Sequence, residues 1–151
     1  INSLEKKYDY VVLLQPSSPI RSKSDITSMF NLLSETDAKS CVSVCQIEEP
    51  HPFKLKSISK DGHLKPFIEG TTSEQTRQSL PAVYSLNGAI YISKVEDLIK
   101  EKSFFLQKTI PFIMKHNINI DREEDLIFLN TLIKLKFIDI DKNDYQKSIL
   151  N

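Results

Sequence analysis

The sequence lacks an excess of charge of either sign. Lysine and arginine together account for 20 of the 151 residues, and aspartate and glutamate for another 20. Because these charges cancel, no overall field draws the protein to nucleic acid or to an anionic membrane. We therefore expect neither of those partners, and a small or locally bound partner is favoured.

Long apolar runs are also missing. The sequence contains no stretch of about 18 apolar residues and no basic segment followed by an apolar one, which argues against a spanning helix and a secretory signal. A cytoplasmic location is the resulting expectation. The sequence begins at Ile1 rather than at a methionine, and we expect the chain to be a piece of a longer protein.

Cysteine is scarce. The two cysteines, Cys41 and Cys45, lie four positions apart in "SCVSVCQI". On a strand they would share one face but lie too far apart for a comfortable disulfide. Since no histidine is close in sequence, they do not suggest a zinc site. We predict that both are unreactive thiols in or near the core.

The first half of the chain reads as strand, helix, strand. Tyr8 to Leu14 is a short apolar run typical of a strand covered on both faces. Ser22 to Asp25 resembles a capping box, and "SCVSVCQI" predicts a second strand. The helix between them has an apolar face with helical spacing, made of Ile26, Met29, Phe30 and Leu33. A βαβ unit of this kind predicts an α/β fold with a mainly parallel sheet.

The sequence pattern changes between residues 48 and 86, where four prolines separate short stretches of alternating apolar and polar residues. Asp61-Gly62 is a strong hairpin signal. We predict a single domain over residues 1–151 in which 48–86 forms an inserted antiparallel flap or subunit contact. The remaining predicted elements are a core strand at "GAIYIS", a short helix at "KVEDLIKE", edge-like strands at "TIPFIMK" and "NINID", and a closing helix over Glu123–Phe137.

Polar side chains follow the first strand. Gln15 precedes Pro16, and Ser17 and Ser18 lie between Pro16 and Pro19, which restrict the loop to an extended shape. Ligands of parallel α/β sheets bind beyond the carboxyl ends of the strands, and an amide with two hydroxyls suits a polyhydroxylated ligand. The alternative is that the serines only cap the next helix.

A second cluster combines Arg77 and Gln78 with Asn87 and Tyr91 around a core strand. An arginine fork suits a carboxylate or phosphate. The alternative for Asn87-Gly88 is a simple tight turn. Lys54, in "HPFK", could present a charge to an anionic substrate or could simply be solvated.

Acidic residues crowd the start of the closing helix in "NINIDREEDL". Helix capping explains such residues, because the helix dipole favours negative charge there. The alternative is a Mg²⁺ site, which usually takes one or two carboxylates with substrate phosphates. Asp121 is the best candidate, since it ends the preceding strand.

The order of these motifs carries more information than any one of them. "LLQPSSPIR", "HPFK", "RQSLP" with "NGAIYI", "FF" and "INIDREEDL" follow one another from about Tyr8 to about Leu135. In this order the sequence resembles the CMP-N-acylneuraminate synthetases, the acylneuraminate cytidylyltransferase family.

The resemblance implies a Rossmann-like nucleotidyltransferase fold that forms a homodimer through an inserted arm. It implies transfer of a cytidylyl group from CTP to a nine-carbon α-keto acid sugar, with release of pyrophosphate. Gln15 and Ser17 would contact the polar side of the sugar, with Ser18 beside them. Arg77, Gln78 and Lys54 would contact its anionic or acyl-bearing region, Asn87 and Tyr91 would form the pocket wall, Phe104 and Phe105 would line an apolar patch or pack in the core, and Asp121 with Asn119 would hold Mg²⁺.

The sequence departs from the family in two ways. A glycine- and basic-rich loop of the type "ARxGSK", which in relatives cradles CTP, does not precede Tyr8. Relatives commonly carry Asp-Ile-Asp at the metal, where this chain has Asn119-Ile120-Asp121. Two alternatives therefore stay open: a related enzyme acting on legionaminate, pseudaminate or Kdo, and a truncated homologue that binds sugar or assists assembly without catalysis. No residue is identified as the general base.

Overall fold

The computed structural model describes residues 7–71, 74 and 76–138, with the side chain of Arg77 left out. Within them the chain forms six strands and three α-helices. In chain order these are β1 (Tyr10–Leu13), α1 (Lys23–Glu35), β2 (Ser40–Gln46), β3 (Lys56–Ile58), β4 (Leu64–Pro66), β5 (Tyr84–Lys94), α2 (Val95–Glu101), β6 (Thr109–Ile113) and α3 (Glu123–Lys134). Short 3₁₀ turns occupy Pro52–Lys54 and Arg77–Ser79.

The chain divides into two compact units. The first comprises residues 1–45 and 86–151, and the second residues 46–85. The bounds of the second unit lie within two residues of the segment 48–86 predicted to be an insertion. Its role as a dimerisation arm stays a prediction.

A mixed four-stranded sheet organises the first unit, in the order β1-β5-β2-β6. β1 pairs antiparallel with β5, and β2 pairs parallel with β6. Between β5 and β2, Lys94 N–H donates to the carbonyl of Lys39, the residue just before β2, whereas Ile90 N–H donates to Ser43 Oγ. Since later residues of β5 face earlier residues of β2, these two strands also run in opposite directions.

The predicted α/β class is confirmed, but the prediction of a mainly parallel sheet is wrong, since only the β2–β6 pair of this four-stranded sheet is parallel. β1, β2 and β6 share one direction, but β5 is inserted against them between β1 and β2. An apolar run such as "GAIYIS" predicts a buried strand without indicating its direction, because both faces are covered in either case. The edge-like strand predicted at "NINID" is also absent, since residues 117–121 are irregular.

The first helix forms as its sequence predicts. Ser22 Oγ accepts from Asp25 N–H at 3.1 Å, and the Asp25 carboxylate accepts in return from Ser22 N–H at 2.7 Å. This reciprocal capping satisfies two backbone donors at the helix start. Met29 and Leu33 are buried in the core, and Ile26 and Phe30 pack against it. The core also contains Ala38, Cys41, Cys45, Ala89, Ile90, Ile92 and Met114.

The predicted hairpin is also confirmed in the second unit. β3 and β4 pair antiparallel, with Ile58 opposite Leu64. The turn contains Gly62 at φ +84°, a conformation that glycine adopts without steric cost. In the described part of the chain, no helix has the length and apolarity needed to span a bilayer.

Candidate functional site

Three strands of the first unit end at the same edge of the sheet. β1, β2 and β6 share one direction, with Val44 of β2 paired to Ile113 of β6. Because β5 runs the opposite way, its early residues Asn87 and Gly88 lie at this edge as well. We call this region the sheet-end site: the loop after β1, the early part of β5 and the segment after β6.

The loop after β1 is a closed turn held by an arginine. Ser18 N–H donates to Gln15 O at 3.2 Å. The guanidinium of Arg21 donates to the same Gln15 carbonyl at 2.8 Å and to Ser18 O at 2.5 Å. A planar fork of donors is well suited to fixing two carbonyls at once. The loop is therefore fixed in shape before any ligand binds.

The helix-capping alternative for Ser17 and Ser18 is wrong. The residue that caps α1 is Ser22, whose hydroxyl accepts from Asp25 N–H. Ser18 Oγ instead donates to Asn119 Oδ1 at 2.6 Å, and Ile120 N–H donates to Ser17 O at 2.7 Å. These bonds join the loop after β1 to the segment after β6, about a hundred residues later in the chain.

Gly88 lies where the loop crosses β5. Its φ is +72°, and a methyl group placed on it would meet Gln15 Oε1 at 2.4 Å and Ser18 Oγ at 2.7 Å. The side chains of Gln15 and Ser18 therefore rest on the bare Cα of Gly88. β5 continues through Asn87-Gly88, so the alternative of a simple tight turn at this dipeptide is wrong.

Asn87 is engaged inside the protein. It is only 2% exposed, and its Oδ1 accepts from Ser43 Oγ at 2.6 Å and from Ala89 N–H at 3.2 Å. Its Nδ2 faces the sulfurs of Cys45 and Met114 at 3.5 and 3.2 Å. This geometry makes Asn87 a buried link between β5 and β2. The role predicted for it in a pocket wall stays a prediction.

The aromatic residues divide by exposure. The rings of Tyr91 and Phe104 lie 5.6 Å apart and tilted, and both are half-buried. Phe105 is exposed. Among the described residues, no buried side-chain nitrogen or oxygen lacks a partner, so a ligand would be recognised here by half-exposed groups such as the Gln15 amide and the Ser17 hydroxyl.

The acidic cluster resolves into two kinds of residue. The Asp125 carboxylate accepts from the backbone N–H groups of Asp121 and Arg122 at 3.0 and 2.9 Å, so it caps α3. Asp121 itself is exposed. Over the residues described, no group of three or more His, Cys, Asp or Glu side chains could hold a metal ion. Asp121 with the Asn119 carbonyl is thus a small donor set, which fits Mg²⁺ only if substrate phosphates and waters supply the remaining oxygens.

The other predicted residues belong to the second unit. Lys54 is half-buried in a 3₁₀ turn, and Gln78 is exposed in another. The side chain of Arg77, on which the anion-binding prediction depends, lies outside the described part. A hollow of about 300 Å³ within this unit is lined by Gln46, Ile47, Glu48, His51, Leu80, Pro81 and Ala82.

His51, beside that hollow, is a structural residue. Its Nδ1 accepts from Phe53 N–H at 3.2 Å, so its proton lies on Nε2, which donates to Pro81 O at 3.1 Å. Both ring nitrogens are occupied in the neutral ring. The imidazole therefore ties two segments of the second unit together and offers no free nitrogen to a substrate.

The two thiols are buried and free, as predicted. Burial raises the pKa of Cys41 to about 11, and burial also raises the pKa of Cys45, against a smaller opposing effect of its hydrogen bond with Asn87. Cys45 Sγ lies 3.0 Å from His116 O. Neither thiol resembles an activated nucleophile, which needs a lowered pKa.

Two contributors to the sheet-end site were not identified from the sequence. Arg21 ends the motif "LLQPSSPIR" and has no predicted role, and Ser43 lies inside the predicted strand "SCVSVCQI". A serine in the middle of a fully buried strand was an available signal, because a buried hydroxyl requires a partner. The role of Arg21 had no comparable signal, since it depends on the folded path of the loop.

Comparison with known proteins gives a consistent set of relatives. An N-acylneuraminate cytidylyltransferase of Streptococcus agalactiae is 33% identical over 118 residues, which is 77% of this chain and 28% of that protein. A post-translational flagellin modification protein B of Campylobacter coli is 30% identical over 132 residues, 86% of this chain and 55% of that protein. A CMP-N,N'-diacetyllegionaminic acid synthase of Legionella pneumophila is 33% identical over 132 residues, 85% of this chain and 55% of that protein.

The chain thus spans between about a quarter and about half of the length of these curated relatives. No protein-family model matches it.

Proposed function

We propose that this chain forms the sugar-acid-binding part of a cytidylyltransferase. The chain belongs to the family of N-acylneuraminate cytidylyltransferases and related CMP-sugar synthases, which supports this proposal. The complete enzyme would transfer a cytidylyl group from CTP to a nine-carbon α-keto acid sugar and release pyrophosphate. The observation that carries the proposal is the sheet-end site, where the loop after β1, Gly88 and the segment after β6 meet.

The site offers the chemistry that a polyhydroxylated ligand requires. Gln15 and Ser17 present an amide and a hydroxyl that are half-exposed, so they can exchange water for sugar hydroxyls. The loop that carries them is already fixed by Arg21 and by its bonds to the segment after β6. A ligand that binds a fixed loop loses less conformational entropy than one that must order it.

Displacement at phosphorus requires little covalent chemistry from the protein. The attacking oxygen must be placed in line with the leaving group, and the charge on the triphosphate must be neutralised. Gln15 and Ser17 would orient the sugar for that attack. Asp121, with the Asn119 carbonyl, would hold Mg²⁺, which when bound would supply neutralising charge to the phosphates. The contacts predicted for Lys54, Arg77 and Gln78 with the anionic or acyl-bearing region of the sugar stay predictions.

Assembly as a homodimer is part of the proposal. In the hairpin of the second unit, Ile58 and Leu64 face each other across the strand pair and are 74% and 72% exposed. Paired exposed apolar side chains of this kind favour burial against another surface. A second copy of the chain, meeting the first through this hairpin, would provide that surface.

A cytoplasmic location also stays a prediction.

The identity of the sugar is open between two candidates. The streptococcal relative is named for N-acylneuraminate, whereas the Legionella relative is named for N,N'-diacetyllegionaminic acid and is matched over a larger share of its length. A related sugar acid is therefore a specific second candidate for this chain.

The test is pyrophosphate release by the full-length protein with CTP, Mg²⁺ and a panel containing N-acetylneuraminic, diacetyllegionaminic, pseudaminic and Kdo acids. Turnover of one panel member is expected, and its identity assigns the substrate. Gln15→Ala should raise KM for that sugar, whereas Gln107→Ala, an exposed glutamine in a turn, should not. Absence of pyrophosphate with every sugar would reject the enzyme and leave the non-catalytic homologue.

A further inference from the structure

The sequence contains three glycines, and each has a positive φ in the structure. At Gly62 (φ +84°) and Gly70 (φ +77°) an added methyl group would meet nothing within 4 Å. At Gly88 (φ +72°) the same methyl group would lie 2.4 Å from Gln15 Oε1 and 2.7 Å from Ser18 Oγ. The three positions therefore share a backbone conformation, and only Gly88 combines it with a close approach of other side chains.

The groups that rest on Gly88 have unequal freedom to move. Ser18 is 2% exposed, its hydroxyl is bonded to Asn119, and its carbonyl is held by Arg21. Gln15 is half-buried, and its side chain can swing outward even though its carbonyl is held. A side chain at position 88 would therefore displace the Gln15 amide more readily than the Ser18 hydroxyl.

We propose that Gly88 is a positioning residue, whose bare Cα sets the height of the Gln15 amide above β5 and so determines how tightly the sugar acid is bound. The inference rests on the proposed function, because it assumes that the Gln15 amide contacts the sugar. Gly88 itself touches no substrate in this proposal. It acts through Gln15, and its effect should appear in sugar binding rather than in the handling of CTP.

The test compares Gly88→Ala with Gly62→Ala in the full-length protein. Both variants place a methyl group on a backbone with positive φ, so both carry similar local strain. Only Gly88→Ala also disturbs Gln15. We expect KM for the sugar to rise about tenfold in Gly88→Ala, as for one misplaced hydrogen bond, while KM for CTP changes less than about twofold. Gly62→Ala should change neither constant, and an equal rise in both variants would overturn the proposal.

A double-mutant cycle then asks whether the effect passes through Gln15. In a Gln15→Ala background the amide is gone, so adding Gly88→Ala should raise KM for the sugar by less than about twofold. Full additivity of the two substitutions would contradict a positioning role.

A measurement of stability tests this inference independently of the proposed activity. Gly88→Ala should lower the midpoint of denaturant unfolding more than Gly62→Ala does, and the excess should disappear when Gln15→Ala and Ser18→Ala make room for the methyl group. If Gly88→Ala alone fails to fold, the triple variant should fold, and failure of the triple variant overturns the proposal. If the wild-type protein turns over no sugar, the proposed function falls and with it the sugar-binding role of Gly88, whereas the stability comparison still decides whether Gly88 positions the loop.

Discussion

The loop Gln15–Ser18 in the first unit and the turn between β3 and β4 in the second are both short and polar, but only the loop also has distant partners. The loop combines local bonds with distant ones, since Arg21 holds the carbonyls of Gln15 and Ser18 while Ser18 also bonds to Asn119 across 101 positions of sequence. The hairpin depends on neighbours, since Ser59, Asp61 and His63 bond to one another within four positions. The bond to Asn119 exists only in the folded unit, whereas a turn bonded only to its neighbours can form without that support.

The two regions also differ in what they expose. At the sheet-end site the buried polar groups have partners and the core beneath is closed. On the hairpin, Ile58 and Leu64 present apolar surface to solvent. The first region therefore holds polar groups in fixed positions, whereas the second presents an apolar surface.

The largest effect on stability is expected at Asn87, the buried residue of β5 that precedes Gly88. Asn87→Ala would remove the acceptor of Ser43 Oγ and Ala89 N–H in a buried setting. Because these buried donors would lack an acceptor and a cavity would form, the free energy of unfolding should fall by about 3 kcal/mol. Denaturant titration measures it. Asn31→Ala, at an exposed helix position, is the matched control and should stay within about 0.5 kcal/mol of wild type. Equal values for the two variants would show that the buried amide network contributes little.

Thiol reactivity should sharpen the same contrast. Burial raises the pKa of Cys41 to about 11, so at pH 8 only roughly one thiol in a thousand is ionised, and labelling by a disulfide reagent should be roughly a hundredfold slower than for a free thiol. A cysteine introduced by Ile58→Cys on the exposed hairpin should react at the free-thiol rate. Rapid labelling of the native cysteines would contradict their burial.

The direction in which stability changes with pH follows from the raised pKa of Cys41. Because the folded pKa of Cys41 lies above the ordinary value, the stability contributed by the neutral thiol is complete below about pH 8.5 and is lost as the pH rises toward the folded pKa. The Cys41→Ala variant should lose less stability over that alkaline range than the wild type.

A smaller effect is expected from the clamp on the loop. Arg21→Ala would leave the carbonyls of Gln15 and Ser18 without their charged donor. We expect the free energy of unfolding to fall by about 1.5 kcal/mol, because hydrogen bonds to charged groups typically contribute that much. The exposed Lys23→Ala variant controls for loss of a positive charge near the same helix and should be close to neutral. Faster hydrogen exchange at the Ser18 amide in the arginine variant alone would locate the effect in the loop.

The smallest effect on stability is expected on the hairpin, together with a change of assembly. Ile58→Lys with Leu64→Lys should change the free energy of unfolding of the protomer by less than about 0.5 kcal/mol, because both side chains are exposed. The same pair should convert a dimer to a monomer in sedimentation equilibrium. Lys60→Gln, at an exposed position in the turn, should remain dimeric. A wild-type protein that is already monomeric would remove the reason for assigning a dimer contact to this hairpin.

The features predicted correctly from the sequence are those that depend on local chemistry. The start of α1 follows from Ser22 and Asp25 three positions apart, and the hairpin follows from Asp61-Gly62. The burial of Cys41 and Cys45 follows from the apolar strand around them. These features depend only on residues close in sequence, so the sequence pattern alone predicts them.

Tertiary contacts set the direction of β5, the burial of Asn87 and the bond between Ser18 and Asn119, none of which the sequence predicts. Each depends on which distant segment lies beside a residue, and a strand pattern is the same whether its neighbour is parallel or antiparallel. Gly88 shows the boundary between the two levels. Its freedom at positive φ is a property of glycine, but the need for a bare Cα arises only because Gln15 and Ser18 are folded onto it.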